Sequence, residues 1–231
     1  MGTITNGLIK AAGLILSFDP ELYSIILLSL KVSGGAVLIS SLAGVPLGAA
    51  CALRRFPGRR AVVLLLNTFM GFPPVVAGLL IYLLLSRSGP MGFMGLLYSP
   101  SAMVIAQSVV VFPIVAALSW SAAASVSPRI SETALTLGAS GFAVDWRVIS
   151  EARMQILAAV IAGFGRAIAE VGAVLIVGGN IAGYTRVMTT SIAMETGKGT
   201  FELAIALGVV LLFVALLVNI LLRLAQGGMR R

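Results

Sequence analysis

Apolar runs long enough to cross a lipid bilayer recur along this 231-residue chain, and no other feature narrows its possible folds so sharply. They lie within 22–53, 61–86, 101–126, 154–177 and 201–224. A hydrocarbon core about 30 Å thick is crossed by about 20 residues of helix. Inside it every backbone N–H and C=O must be paired within the protein, which for runs of this length means α-helix. Composition agrees, with 59% hydrophobic and 10% charged residues and a mean hydropathy of +1.07. The expected fold is an all-α polytopic membrane protein with about five transmembrane helices. A single cysteine, Cys51, excludes an intrachain disulfide, and the absence of histidine argues against zinc or haem centres and against imidazole acid–base catalysis. No metal site and no cofactor-binding residue is expected in this chain.

Residues 1–20 contain an apolar stretch broken by Lys10. They are too short to span and lack the basic start and small-residue cleavage site of a signal peptide. They are expected to lie along the membrane surface, the alternative being a tilted sixth span. The first span carries Gly44-x-x-x-Gly48, a spacing that lets helices approach closely, and Pro46 near its end. The second is interrupted by Gly71-Phe72-Pro73-Pro74, where two prolines remove two helix hydrogen bonds. The third is bent at Pro113, and residues 178–200 read as an external connection. Residues 21–226 form the expected transmembrane domain, with 227–231 as a basic tail.

Charge placement orients this threading. Arg54, Arg55, Arg59, Arg60, Arg129, Arg147, Arg153, Arg223, Arg230 and Arg231 fall on one side, against Lys10, Arg87, Arg186 and Lys198 on the other. Basic residues accumulate in cytoplasmic loops, so the carboxyl terminus is expected in the cytoplasm and the amino terminus outside. The net charge of +8 follows membrane topology in this way and is not a nucleic-acid footprint.

Residues 127–153 are the longest stretch with a soluble protein's composition, and they sit between two spans. Pro128 is suited to start a short helix, Glu132 falls near its positive end, Leu135 and Leu137 are its apolar positions, and Gly138 supplies a stop. Glu132-Thr133-Ala134-x-x-x-Gly138, with Val148 further on, resembles the EAA loop of ABC-transporter permease subunits. Thr133 stands where that family has a second alanine, and Ser150-Glu151 where it has Leu-Pro. The resemblance implies a cytoplasmic coupling helix, comprising Glu132, Thr133, Ala134, Leu135, Leu137, Gly138 and Ala139, that docks in a groove of a separate ATPase.

Arg166 and Glu170 lie four apart in the fourth run, where a shared helix face would pair them. Charges at bilayer depth cost about 2.5–3.5 kcal/mol on insertion scales and face a bundle interior or a watery path. The pair is read either as a packing device or as part of an anion path. Lys31 either joins that path or snorkels to the headgroups. The run Gly163-Phe164-Gly165-Arg166-Ala167-Ile168-Ala169-Glu170-Val171-Gly172-Ala173, followed by Gly179-Asn180-Ile181-Ala182-Gly183-Tyr184-Thr185-Arg186, resembles the oxyanion branch of these permeases, the importers of molybdate, tungstate or sulfate. Residues 189–195 resemble the tungstate type most.

That resemblance implies a second copy of the chain, two cytoplasmic ATPase subunits that carry ATP and Mg²⁺, an extracytoplasmic oxyanion-binding protein and a lipid bilayer as partners, with no nucleic acid. Gly197-Lys198-Gly199-Thr200 is not a phosphate-binding loop, because Ile192 and Gly199 stand where the pattern needs Gly and Ser or Thr. ATP hydrolysis is therefore expected elsewhere. The alternative class is a secondary transporter of anions, for which Glu170 is the one intramembrane acid and no inverted repeat is evident. An integral membrane enzyme would need a nucleophile–base pair or metal-ligand cluster, which this sequence does not offer.

Overall fold

The computed structural model describes the backbone of residues 2–228, apart from the side chains at 2, 3, 11, 14, 127, 129, 131, 132, 135, 221–223 and 225–228. Among the described residues it contains α-helices and one short 3₁₀ turn, with no strand. The helices are α1 (Gly2–Leu16), α2 (Pro20–Leu53), α3 (Arg59–Phe69), α4 (Pro74–Leu85), α5 (Pro100–Thr136), α6 (Gly141–Ile168), α7 (Gly172–Gly178), α8 (Met188–Gly197) and α9 (Phe201–Gly228). By length and composition α2, the 100–126 part of α5, α6 and the 201–220 part of α9 can each cross a membrane. The pair α3–α4, bent by 105° at its break, is apolar enough to make a fifth when taken as one broken span. The bend falls at Gly71–Pro74, where the prolines demand it.

α2 begins at an Asp19 cap, whose carboxylate accepts the Leu22 N–H at 2.8 Å, with Pro20 in the first turn. Its small-residue face lies against α5. A Cβ added at Gly48 would sit 2.7 Å from Trp120 N and press on the Ala116 carbonyl, and one at Gly44 would sit 3.2 Å from Ala116 N. The Gly44–Gly48 spacing is thus the closest approach of the two longest helices. Ser40 Oγ donates to Ser108 O across the same contact at 3.2 Å. One apolar cluster joins α2, α4, α5 and α7 around Val32, Ala77, Met103 and Val177. A second joins α2, α5, α6, α8 and α9 around Val111, Val115, Met188 and Val210. α1 packs on α9, with Gly7 against Ile205 and Asn6 donating to Glu202 at 3.1 Å.

Three expectations are corrected. No separate helix starts at Pro128, because α5 runs through it to Thr136. Pro128 lacks the N–H that would meet the carbonyl of half-buried Ala124, a loss tolerable at the polar end of the span. The run 154–177 is not one helix: α6 already begins at Gly141, ends at Ile168 and is followed by a break before α7. Residues 178–200 are not a plain connection either. They include α8, whose Met188, Thr189, Thr190, Ser191 and Glu195 are buried in the bundle. The arginines at 129, 223, 230 and 231 and the tail at 229–231 lie outside the described side chains or residues.

The α2–α5 contact yields a direct test. Gly48→Ala must drive the two backbones apart and should destabilise the purified protein by about 1–3 kcal/mol. Gly34→Ala on the same helix meets nothing within 4 Å and should be neutral or stabilising by up to about 1 kcal/mol. Thermal unfolding in detergent compares them, and equal melting temperatures would disprove the close approach.

Candidate transport pathway and coupling site

The two ends of the bundle differ in chemistry. At one, the loop end, α5 and α6 are joined by four residues. Gly138 has φ +76°, a left-handed conformation that glycine adopts without Cβ strain. The Ala139 N–H reaches back to Ala134 O at 2.9 Å and the Leu137 N–H to Thr133 O at 3.3 Å, closing the last carbonyls of α5 in a Schellman stop. Ser140 then caps α6, accepting the Ala143 N–H at 3.4 Å. Ala134 and Ala139 pack with Ile130, Ala52 and Leu53 over buried Ala123, Val144 and Val148. Thr133 and Gly138 are exposed, and Leu137 is 81% exposed. The side chains of Glu132 and Leu135 are not among those described.

Sequence reading missed two side chains here. Phe142 and Trp146, four apart on the first turns of α6, are 78% and 68% exposed. Together with Leu137 they make an apolar surface on a segment too polar to lie in lipid, the mark of a face that another protein covers. The spacing was visible, but only the short α5–α6 joint places both beside Leu137. A groove of about 570 Å³ runs alongside, lined by Thr133, Ala134, Leu137, Arg147 and Glu151 among others. Arg54, from the turn after α2, pairs with Asp145, so the basic turn and the start of α6 are tied together at this end.

The second location is the break after α6. Arg166 is in the last turn of α6, but Glu170 lies beyond the helix, in the break. The two do not share a helix face as expected. They still meet: Arg166 Nη1 donates to Glu170 Oε2 at 2.7 Å, with Arg166 35% and Glu170 4% exposed. The reason Glu170 leaves the helix is its second task. Its Oε1 accepts the Ala173 N–H at 3.2 Å and so caps the start of α7. Thr189 on α8 donates to the Glu170 carbonyl at 2.8 Å. Gln107, in the third turn of α5 and buried, donates to the Ala167 carbonyl at 2.9 Å. The last three of these contacts each pair a backbone group beside the break.

Gln107 was not singled out in the sequence, since a glutamine in an apolar run gives no sign of a partner 60 residues away. The break at 169–171 packs on the break at 70–73: a Cβ on Gly172 would sit 2.7 Å from Val75 Cγ2, and one on Gly78 at 2.7 Å from Ala173 Cα. Lys31 is exposed on α2, and among the described residues no hydrogen bond or ion pair joins it to Arg166 or Glu170.

At the far end α8 is anchored by Ser29, whose Oγ accepts the Met188 N–H at 2.9 Å. The Thr200 hydroxyl and the Lys198 ammonium both donate to Glu195 and hold its carboxyl below the ordinary carboxylate range, against the opposing effect of burial. Among the described residues no cluster of metal-ligating side chains is present.

The double task of Glu170 orders a mutant series. Glu170→Leu strips Arg166 of its partner and Ala173 of its acceptor, and should cost about 3–5 kcal/mol. Glu170→Gln keeps an acceptor for the Ala173 N–H and should cost clearly less. Arg166→Met combined with Glu170→Gln should recover most of the loss, whereas Arg166→Met with Glu170→Leu should remain lower by about 1 kcal/mol for the missing cap. Thermal unfolding of the four variants checks the order, and identical behaviour of the Leu and Gln series would remove the capping role.

The profile of a family described as "Binding-protein-dependent transport system inner membrane component" matches residues 44–231. The chain is 43% identical over 219 residues to the tungstate uptake system permease protein TupB of Peptoclostridium acidaminophilum, covering 95% of this chain and 96% of that protein. It is also 43% identical over 205 residues to a probable anion ABC transporter permease protein of Haloferax volcanii, covering 87% and 88%. A solved amino acid ABC transporter chain shares the fold, with a TM-score of 0.65 at 23% identity over 92% of this chain and 95% of that one. Membership of such a family disfavours the secondary-transporter reading. With its bent and broken spans and its apolar loop-end face, the chain belongs to the inner membrane components of binding-protein-dependent ABC importers, multi-pass permease subunits whose ATP-hydrolysing partner is a separate chain.

Proposed function

We propose that this permease translocates a tetrahedral oxyanion, tungstate before molybdate or sulfate. The observation that carries the reading is the near full-length identity to a tungstate uptake permease. The half-exposed Arg166 beside a break in the membrane supports it, because a cation held there lowers the barrier for an anion, while Glu170 fixes its position. At about 6 Å and an effective dielectric near 20, a dianion and one positive charge attract by about 5 kcal/mol before desolvation offsets much of it. Lys31 is assigned to the same path, as a cation that the anion passes. Five spans enclose little space, so two copies pair about the path. Residues 21–226 make up the translocating body, with 1–20 along the membrane surface and 227–231 as a cytoplasmic tail.

The loop end is the cytoplasmic end in this reading. Glu132, Thr133, Ala134, Leu135, Leu137, Gly138 and Ala139 form the coupling segment, and Phe142 with Trp146 extends its apolar face into the groove of the ATPase. Two ATPase subunits, each with ATP and Mg²⁺, close and draw the two coupling segments together, which opens the path outward toward a binding protein that delivers the anion.

Uptake of radiolabelled tungstate by cells carrying the complete importer tests the function, with molybdate and sulfate as competitors. Wild-type uptake that none of these anions saturates would reject it. Gly138→Val forces a β-branched residue to a positive φ and should abolish uptake at normal expression. Trp146→Ala should weaken copurification of the ATPase by about thirtyfold, the effect of losing an aromatic anchor. Sidedness is checked with cysteines at 58, 92 and 197 in a Cys51→Ala background. An impermeant reagent applied outside should label 92 and 197 and spare 58, and outside labelling within 127–153 would reverse the orientation.

A further inference from the structure

α6 is long and apolar enough to cross the membrane, yet its open side is not apolar in the way lipid demands. From Arg147 to its end at Ile168 the exposed residues are Arg147, Glu151, Arg153, Gln155, Ala158 and Ala162, with no large hydrophobic among them. α9 sets the contrast. Leu212, Phe213, Leu216 and Ile220 stand out from it, Leu212 at 72% exposed, as a face in hydrocarbon should. An amide turned toward hydrocarbon finds no hydrogen-bond partner and costs free energy, so the open face of α6 meets something other than lipid.

Spacing fixes where that face lies. Glu151, Gln155, Ala158 and Ala162 recur at three or four residues, which is one side of a helix, and half-exposed Arg166 is next in the series. α5 answers with the same chemistry, since its exposed residues between 117 and 126 are Ser121 and Ser125. The two helices enclose a cavity of about 280 Å³, lined by Leu118, Ser121, Ser125, Gln155 and Ala158 among others. Ser125 Oγ donates to Gln155 Oε1 at 3.3 Å, and the N–H groups of that amide have no acceptor among the described residues. Ser125 also lines the groove at the loop end, so the two hollows adjoin. In the other direction Arg166 follows Gln155 by about 16 Å of helix, at 1.5 Å per residue.

We propose that this trough between α5 and α6 is the inner half of the anion path, leading from Arg166 at the break to the loop end, and that Gln155 lines it as a hydrogen-bond donor to the passing oxyanion. The inference rests on the oxyanion reading and the pairing of two copies above, the second copy closing the open side of the trough. A neutral amide suits a place of transit. It offers N–H groups to an oxyanion without the stronger, charge-assisted hold of a guanidinium. Nearer the loop end Arg147 and Glu151 bring opposite charges to the same face and offset each other.

The test reads water along the trough with single cysteines in the Cys51→Ala permease, assembled with its ATPase in inside-out vesicles whose loop end faces the medium. A negatively charged thiol reagent is the probe. Gln155→Cys, Ala158→Cys and Ala162→Cys should react about tenfold or more faster than Leu216→Cys on α9 or buried Ile156→Cys, because the attacking thiolate forms in water. Rates at the three positions no higher than at 216 would mean that lipid or a dry seam with the second copy covers the face, and would overturn the trough. Three positions share the face, so one variant that fails to assemble leaves the answer intact. In the complete importer Gln155→Glu should slow tungstate uptake about tenfold and Gln155→Lys clearly less, since only the first opposes a dianion. Equal losses at equal expression would remove Gln155 from the path. The expected labelling in an importer that moves no oxyanion keeps the trough as the path and removes the oxyanion reading. Tungstate uptake without that labelling removes the trough and leaves the oxyanion reading standing.

Discussion

Backbone polar groups left unpaired by a break cannot be surrendered to hydrocarbon, and the arrangement of this bundle follows from how its breaks are satisfied. An unpaired group in lipid costs several kcal/mol. After α6 the chain frees the Ala167 carbonyl, the Glu170 carbonyl and the Ala173 N–H, and side chains from α5, α8 and the break itself take them up. Gln107, Thr189 and Glu170 thus act at the same break. The Ala167 carbonyl also takes the Glu170 N–H at 3.1 Å, and the three side-chain hydrogen bonds tie α5, α7 and α8 to the break.

The second break, at Gly71–Pro74, is covered differently. α4 restarts against α7, with Gly172 and Gly78 supplying the missing bulk on either side of the contact. Two interrupted spans thus protect each other's restarts. Elsewhere the helices are held by shape: Gly44 and Gly48 bring α2 onto α5 in an environment where hydrophobic attraction between helices is weak and close packing replaces it.

Much of this was legible in the sequence because it depends on local chemistry. Apolar length gave the spans, paired prolines gave the bend between α3 and α4, and an isolated glycine in a polar stretch gave the stop at 138. What escaped was non-local. No proline marks the break at 169–171, and its cause, a glutamate that caps the following helix with a glutamine and a threonine as distant supports, exists only once the chain is folded. Pro128 misled in the other direction, since a proline tolerated near a helix end reads like one that begins a helix. The polar residues of α8 looked like loop because their partners, Ser29 and the Glu170 carbonyl, come from elsewhere in the chain. At the loop end, Gly138 and Val148 were found, whereas Phe142 and Trp146 were passed over because exposure is not a property of sequence.

The continuity of α5 has a mechanical meaning. At about 1.5 Å per residue its 37 residues make a strut about 55 Å long, with Thr133 near one tip and Gln107 well toward the other. No loop interrupts it between the two, so displacement of the tip is carried along one helix. Flexure concentrates at Pro113 and Pro128, where the helix lacks a rung. Whatever stroke survives those two points arrives at the amide that braces the Ala167 carbonyl. The brace on the break and the exposed loop end are two places on a single helix.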